Sequence, residues 1–304
     1  MSLKPQSKWS WEIAAYLFLA GLGAGAYVVG VVSGFLGADW SAIAKIGVCL
    51  GFPCVLAGCV FLIVDLGSPQ HFWRAGLRPG TSWIARGTII ITIFMILAAC
   101  HVAFWLWPFQ NLATATTGRH ALGVLGALFA FGTMIYTGIL LGAARPIAFW
   151  STAMLPLLFL VSALSTGTMA VVLIAAFAGT SYLEPIHSLA RIDMVLIVLE
   201  LFVLGFFLQG THRVPESRAS AQLVLTGTLA PLFWWGVVVV GLLAPLGLEL
   251  LAVVALHGGG AVAVALLTSA AGLVGGLLLR QVILRGGIHA PLRAGRFEIA
   301  LPIV

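Results

Sequence analysis

Charge is what this chain has least of. Asp, Glu, Lys and Arg make up 8% of its 304 residues, where soluble domains carry roughly 25%, so an ordinary water-facing globular surface is excluded. Long polar insertions are missing too. The longest connections between apolar runs fall at about 65–86 and 108–120, which leaves no room for a soluble domain. Cysteine is sparse and wrongly spaced for metal chemistry. Cys49, Cys54 and Cys59 recur every five residues in one apolar run, and Cys100 lies in the next. Zinc and iron–sulfur sites use clustered ligands such as C-x-x-C, so these thiols read as packing residues and no metal site is expected.

Apolar residues dominate instead, at 61% of the chain with a mean hydropathy of +1.13. Runs long enough to cross about 30 Å of hydrocarbon, about 20 residues each, fall at about 12–36, 42–64, 87–107, 121–142, 152–177, 190–210, 220–244 and 252–282. The expected fold is therefore all-α: a polytopic membrane protein of eight transmembrane helices, arranged as two four-helix bundles in a single integral domain spanning residues 1–304. The first run follows Lys4 and Lys8 but is too long for a signal-peptide core, and is expected to be a retained helix.

Eight spans put both termini on one side, here side A. Of fifteen Lys and Arg, twelve fall on side A (Lys4, Lys8, Arg74, Arg78, Arg86, Arg145, Arg213, Arg218, Arg280, Arg285, Arg293, Arg296) and three on side B (Lys45, Arg119, Arg191). The positive-inside bias makes side A cytoplasmic, and the net charge of +6 needs no nucleic acid. Trp9, Trp11, Trp73, Trp83 and Trp150 near side A, with Trp40, Trp105 and Trp107 near side B, read as interfacial belts, and Trp234 and Trp235 read as deep. Gly21/Gly25, Gly30/Gly34 and Gly272/Gly276 form G-x-x-x-G pairs that let helices approach closely. Pro53, Pro156 and Pro231 fall inside expected spans and should bend or unwind them.

Ionisable residues at depth are functional candidates by default. Glu200 sits near the midplane and Asp193 a turn or two from side B. With His101 they make a candidate proton path; the bland alternative for Glu200 is a neutral acid bonded to a neighbouring helix. A haem held by His101 and His257 needs matching depths. At about 1.5 Å per residue the two differ by about 12 Å, and no haem is expected.

The densest polar stretch is VDLGSPQHFWRAGLRPGTSWIARG, residues 64–87, the side-A connection between spans two and three. Glu12, Tyr16, Asp65, His71, Arg74, Arg86, Tyr136, Arg145 and Arg280 all lie within about three helical turns of side A. An apolar pocket between helices with a tyrosine or histidine donor and a nearby carboxylate is what a quinone headgroup needs, since its carbonyls accept hydrogen bonds and its reduction takes up protons. Ordinary snorkelling and interfacial pairing is the competing reading.

WSWEIAAYLFLAGLGAGAY (9–27), DLGSPQHFW (65–73), SWIARG (82–87), YTGILLGAARPIAFW (136–150), LPLLFLVSALSTG (155–167) and LVGGLLLRQVILRGG (273–287), taken in order, resemble the membrane subunit of polysulfide reductase and its NrfD-like relatives. The resemblance implies a subunit that exchanges electrons between menaquinone or ubiquinone and a docked four-cluster iron–sulfur subunit. That subunit in turn serves a molybdenum or tungsten bis-pterin catalytic subunit in a prokaryotic inner membrane. It implies no haem or iron–sulfur cluster in this chain. The family's pocket tyrosine corresponds to Tyr136, ahead of Arg145-Pro146. Its polar pair on the first helix falls at Ile13 and Tyr16, where the isoleucine departs from the pattern and Glu12 stands adjacent. Asp65 matches the acidic position after span two, and Arg280 falls in the last span's arginine motif.

The site expected from these readings has Tyr136, Tyr16 and Arg280 holding the quinone. Asp65, Glu12 and His71 handle protons, and Arg74, Arg78 and Arg86 face the partner. Well-described relatives carry this face outward, whereas the charge count here turns it toward the cytoplasm. Two rivals stay open: a transporter using Glu200 and Asp193, for which no internal repeat is visible in the sequence, and a passive anchor without a quinone site.

Overall fold

A computed structural model describes residues 11–65, 76, 80, 82–105, 116–143, 147–255, 259–288, 292–294 and 297–299. Among the described residues eight helices are long and apolar enough to cross a membrane, so this is a multi-pass membrane protein. The helices are α1 (Trp11–Ser33), α2 (Ser41–Val64), α3 (Trp83–Ala103), α4 (Thr116–Gly142), α5 (Met154–Phe177), α6 (Leu183–Gly210), a short α7 (Pro215–Leu225), α8 (Ala244–Ala255) and α9 (Gly259–Arg285). A π-helical stretch, Leu232–Leu243, runs directly into α8, and the two together form the seventh span. Beyond α9, strands β1 (Leu292–Ala294) and β2 (Phe297–Ile299) pair antiparallel, a small addition to the expected all-helical fold.

The spans group as two bundles. Helix α1 packs on α2 and α4, and α3 on α4; α5 packs on α6 and α9, and α9 on the π-helical stretch. The bundles meet where α1 lies against α5, with α4 and α9 flanking that seam. Each role in the first half thus recurs in the second, a packing repeat invisible in the sequence. The small residues of α1 explain why α1 and α5 are the most enclosed spans. A side chain on Gly25 would run into the Ala163 carbonyl of α5, and one on Gly30 would come within 2.5 Å of the Val48 nitrogen of α2. Without a hydrophobic drive between helices in lipid, such close approach supplies the packing contacts that hold spans together. The outer faces carry exposed Phe177, Val195, Leu128 and Phe202, as lipid contact requires.

Four placements differ from the sequence reading. The run expected at 220–244 is divided: residues of α7 end at Leu225, a turn follows, and the span proper is Leu232–Ala252. This moves Glu249 from a connection into the membrane. Pro156 stands in the first turn of α5 and Pro231 caps the π-helical stretch, where a missing N–H costs little; Pro53 lies inside α2 as expected. Trp150 is no belt residue, being fully buried and donating from Nε1 to the Ile283 carbonyl at 2.8 Å. Trp234 and Trp235 are exposed at the side-A end of their span instead of deep.

Candidate functional site

At side A the first bundle closes around two phenols. Tyr16 of α1 and Tyr136 of α4 are both buried, and they lie next to each other and to Cys59 of α2. The Tyr136 ring fits because α3 offers Gly87: any Cβ there would overlap the ring. Trp11 packs edge-to-face on Phe61 with centroids 5.5 Å apart, fastening the start of α1 to the end of α2. That contact brings Glu12, half-buried in the first turn of α1, and Asp65, exposed at the end of α2, to the same membrane face.

One helical turn beyond Tyr136 a cleft of about 370 Å³ opens toward side A between α3, α4 and α5, lined by Trp83, Ile139, Gly142, Ser151, Thr152 and Pro156. Its size falls within the roughly 300–1,000 Å³ of small-molecule sites. The Thr152 hydroxyl is buried on its wall with no hydrogen-bond partner among the described residues, and a buried polar group without a partner is uncommon. At the rim, Arg86 donates to the Gly80 carbonyl at 3.0 Å and stacks over Trp83 at 4.7 Å. Ser82 caps α3 there by accepting from the Ala85 N–H. Of the other expected residues, His71, Arg74, Arg78 and Arg145 lie outside the described residues.

Arg280 is not part of this site. Its guanidinium is fully buried at the seam of the bundles, donating from Nη1 to Ser162 Oγ at 2.5 Å and to the Gly276 carbonyl at 2.9 Å, above the rings of Phe18 and Phe159. Glu200 of α6 lies beside it. The correction has a simple cause: counting along the sequence fixes the depth of Arg280, but the rotation of α9 points it into the seam between α1 and α5, against Phe18 and Ser162.

From Arg280 a line of buried polar side chains continues through the second bundle. Glu200 neighbours Ser162, Asp193 neighbours Ser165, Glu200 and Glu249, and Glu249 neighbours Thr268. Both Asp193 carboxyl oxygens and one of Glu249 are buried without hydrogen-bond partners among the described residues. A cavity of about 10 Å³ bounded by Ser162, Ser165, Glu200 and Gly241 lies on this line, close to the smallest volume that takes one water. Sequence reading finds Glu200 and Asp193 but misses Glu249, Ser162, Ser165 and Thr268. The signal was Pro231, a better helix start than span interior: starting the seventh span there puts Glu249 at depth.

His101 does not belong to this line, which corrects its expected place in the proton path. It sits in the first bundle near side B, its Nδ1 2.8 Å from the Tyr27 hydroxyl. Tyr27 reaches it because Gly126 has no side chain to block the hydroxyl. Among the described residues no group of three or more His, Cys, Asp or Glu is arranged to hold a metal ion.

The described residues thus form an eight-span helical membrane protein with two buried phenols near a cleft at one face and a line of carboxyl groups through its second bundle. Comparison with known proteins gives the family. The family model described as "Polysulphide reductase, NrfD" matches residues 2–291, and the chain belongs to that family. Over 266 residues it is 32% identical to a polysulfide reductase component from Wolinella succinogenes, covering 79% of this chain and 82% of that one. It is 28% identical to protein NrfD of Escherichia coli, covering 92% and 94%. It is 24% identical to a selenate reductase component from Mesobacillus selenatarsenatis, covering 81% and 67%. Membership fits a membrane subunit of a reductase-type complex.

Proposed function

We propose that this chain exchanges electrons between a membrane quinone and a docked iron–sulfur subunit, which serves a molybdenum or tungsten bis-pterin catalytic subunit. The observation that carries the reading is the buried pair Tyr16 and Tyr136 beside a cleft open to side A, in a member of the NrfD family. Menaquinone or ubiquinone supplies the two-electron chemistry when bound. The chain's own residues bind and orient it: the Tyr136 hydroxyl donates to one carbonyl, Tyr16 supports that phenol, and Thr152 offers a second hydroxyl from the wall.

Trp83 and Ile139 cover the ring and exclude water. Glu12 and Asp65, at the same face, exchange protons between the headgroup and the side-A solution, with His71 assigned the same task from the sequence. Arg74, Arg78 and Arg86 hold this face and meet the partner. Tyr136→Phe, tested in the intact complex, lowers quinol-linked turnover by about a hundredfold, the scale set by loss of a positioning or acid–base group. Dye-linked activity of the catalytic subunit stays intact. Unchanged quinol kinetics contradict the assignment.

A second reading is supported by the buried line from Arg280 through Glu200 and Asp193 to Glu249: proton movement across the second bundle, coupled to quinone turnover. Carboxyl groups spaced by hydroxyls are the elements of a membrane proton relay. The charge count supports a cytoplasmic side A, and with it a cytoplasmic partner.

A further inference from the structure

The cleft at side A has a counterpart at the opposite face. Between the side-B ends of α1, α2, α3 and α4 lies a separate cavity of about 270 Å³, whose polar lining is His101, Trp105, Arg119, His120 and Ser41. The apolar part of the wall is Val31, Phe35 and Val48. Two of the nitrogens, Trp105 Nε1 and His120 Nε2, are buried with no hydrogen-bond partner among the described residues. Indole nitrogen is a donor only and guanidinium has no acceptor, and no carboxylate among the described residues lines the cavity. What this constellation calls for is an acceptor, and next to Arg119 an anionic one.

Each donor is held in place by its neighbours. The Arg119 guanidinium lies 5.0 Å over the Trp105 ring. The His120 ring packs 4.5 Å from Phe35 at a tilt of 37°. His101, more than nine-tenths buried, is fixed through Nδ1 by Tyr27, which leaves its other ring nitrogen for the cavity. Gly123 leaves the space in front of that ring open; a Cβ there would stand 3.1 Å from His101 Cε1. The chain also sends twelve of its fifteen basic residues to side A, so Arg119 on side B runs against the trend that orients the protein. Of the three side-B cations only Arg119 lines the cavity.

We propose that this cavity is a binding site for a phosphate-type anion, presented by the headgroup of an anionic phospholipid in the side-B leaflet. The phosphate oxygens accept from Arg119, Trp105 Nε1 and His120. The acyl chains leave along the apolar wall of Phe35, Val31 and Val48 into the bilayer. A lipid fits better than a free ion because the donors stand at the membrane face on an apolar wall, where a headgroup lies at the right depth. The site is independent of the quinone reading, since none of its residues touches the side-A cleft.

The test uses the full-length chain, delipidated in neutral detergent and given phosphatidylglycerol, phosphatidylcholine or inorganic phosphate, with bound lipid counted by native mass spectrometry and heat stability followed in parallel. The expected result is one tightly held phosphatidylglycerol per chain and no comparable phosphatidylcholine. Trp105→Phe, which keeps the ring under Arg119 and removes only the N–H, and Arg119→Gln each weaken retention by at least about tenfold. Lys45→Gln, an exposed side-B cation outside the cavity, leaves retention unchanged. Protection by inorganic phosphate alone, lost in Arg119→Gln, upholds the anion site and overturns its lipid origin. Equal retention by wild type, Trp105→Phe and Arg119→Gln, or no preference for the anionic lipid, overturns the proposal. Should Arg119→Gln fail to fold, Trp105→Phe and the lipid preference of the wild-type chain decide it.

Discussion

Gly87 and Tyr136 make a pair in which one residue exists to leave room for the other. The phenol occupies the volume that a Cβ at Gly87 would take, so its position depends on an atom that is not there. Gly87→Ala therefore displaces the ring by about a methyl radius, and a misplacement on that scale can cost about a hundredfold in rate. The expected outcome is quinol-linked turnover falling toward the Tyr136→Phe level while the complex still assembles, read by steady-state kinetics on purified complex. Wild-type turnover would show that Tyr136 does not set the headgroup position. Arg280 teaches the complementary lesson. Its depth is legible in the sequence, but its partners Ser162, Gly276 and Glu200 lie on three elements whose rotations no local pattern fixes, so sequence reasoning places it at the tyrosine pair instead of at the seam between the bundles.

The π-helical stretch and α8 show the same limit for whole elements. Hydropathy finds seven of the eight spans near their true places because about 20 apolar residues is a strong signal. It fails at the seventh because the apolar end of α7 runs on almost without break into Leu232, and only Thr226, Gly227 and Pro231 mark the join. Pro245, which can give no N–H to the carbonyl four residues back and presses on it, follows the π-helical turns. Gly241 there backs directly onto Gly275 of α9. Such wide turns are frequent at functional sites, and this one borders the small cavity beside Glu200. Glu249, on the α8 continuation, is expected to carry protons with Asp193. Glu249→Gln in proteoliposomes should abolish proton movement coupled to quinol turnover, measured with a pH-sensitive dye, while leaving the turnover of uncoupled vesicles near wild type. Proton movement unaffected by Glu249→Gln would remove the second bundle from the mechanism.

At the scale of the molecule two bundles of like packing have diverged in chemistry: the first buries the phenols Tyr16, Tyr27 and Tyr136 with His101, the second a thread of carboxyl groups. The packing repeat could not be seen in the sequence because equivalent contacts are made by different residues: α3 and α4 meet where Gly87 receives the Tyr136 ring, whereas the π-helical stretch and α9 meet at Gly241 and Gly275. The orientation expected from the distribution of Lys and Arg can be tested directly. In a cysteine-free background, Asp39→Cys on side B should react with an impermeant maleimide in intact spheroplasts, and Glu216→Cys on side A only after permeabilisation. The reverse pattern would put the partner on the outer face.

In the proposed function a quinone headgroup sits in the side-A cleft next to Tyr136. Photo-crosslinking of the intact complex with an azido-quinone, followed by peptide mapping, tests it most directly. The expected label falls on the segments carrying Trp83, Ile139 and Thr152, is displaced by excess native quinone and is lost in Tyr136→Phe. Displaceable label at the side-B cavity around Trp105 and His120, or none above background in a complex with active quinol turnover, would contradict it.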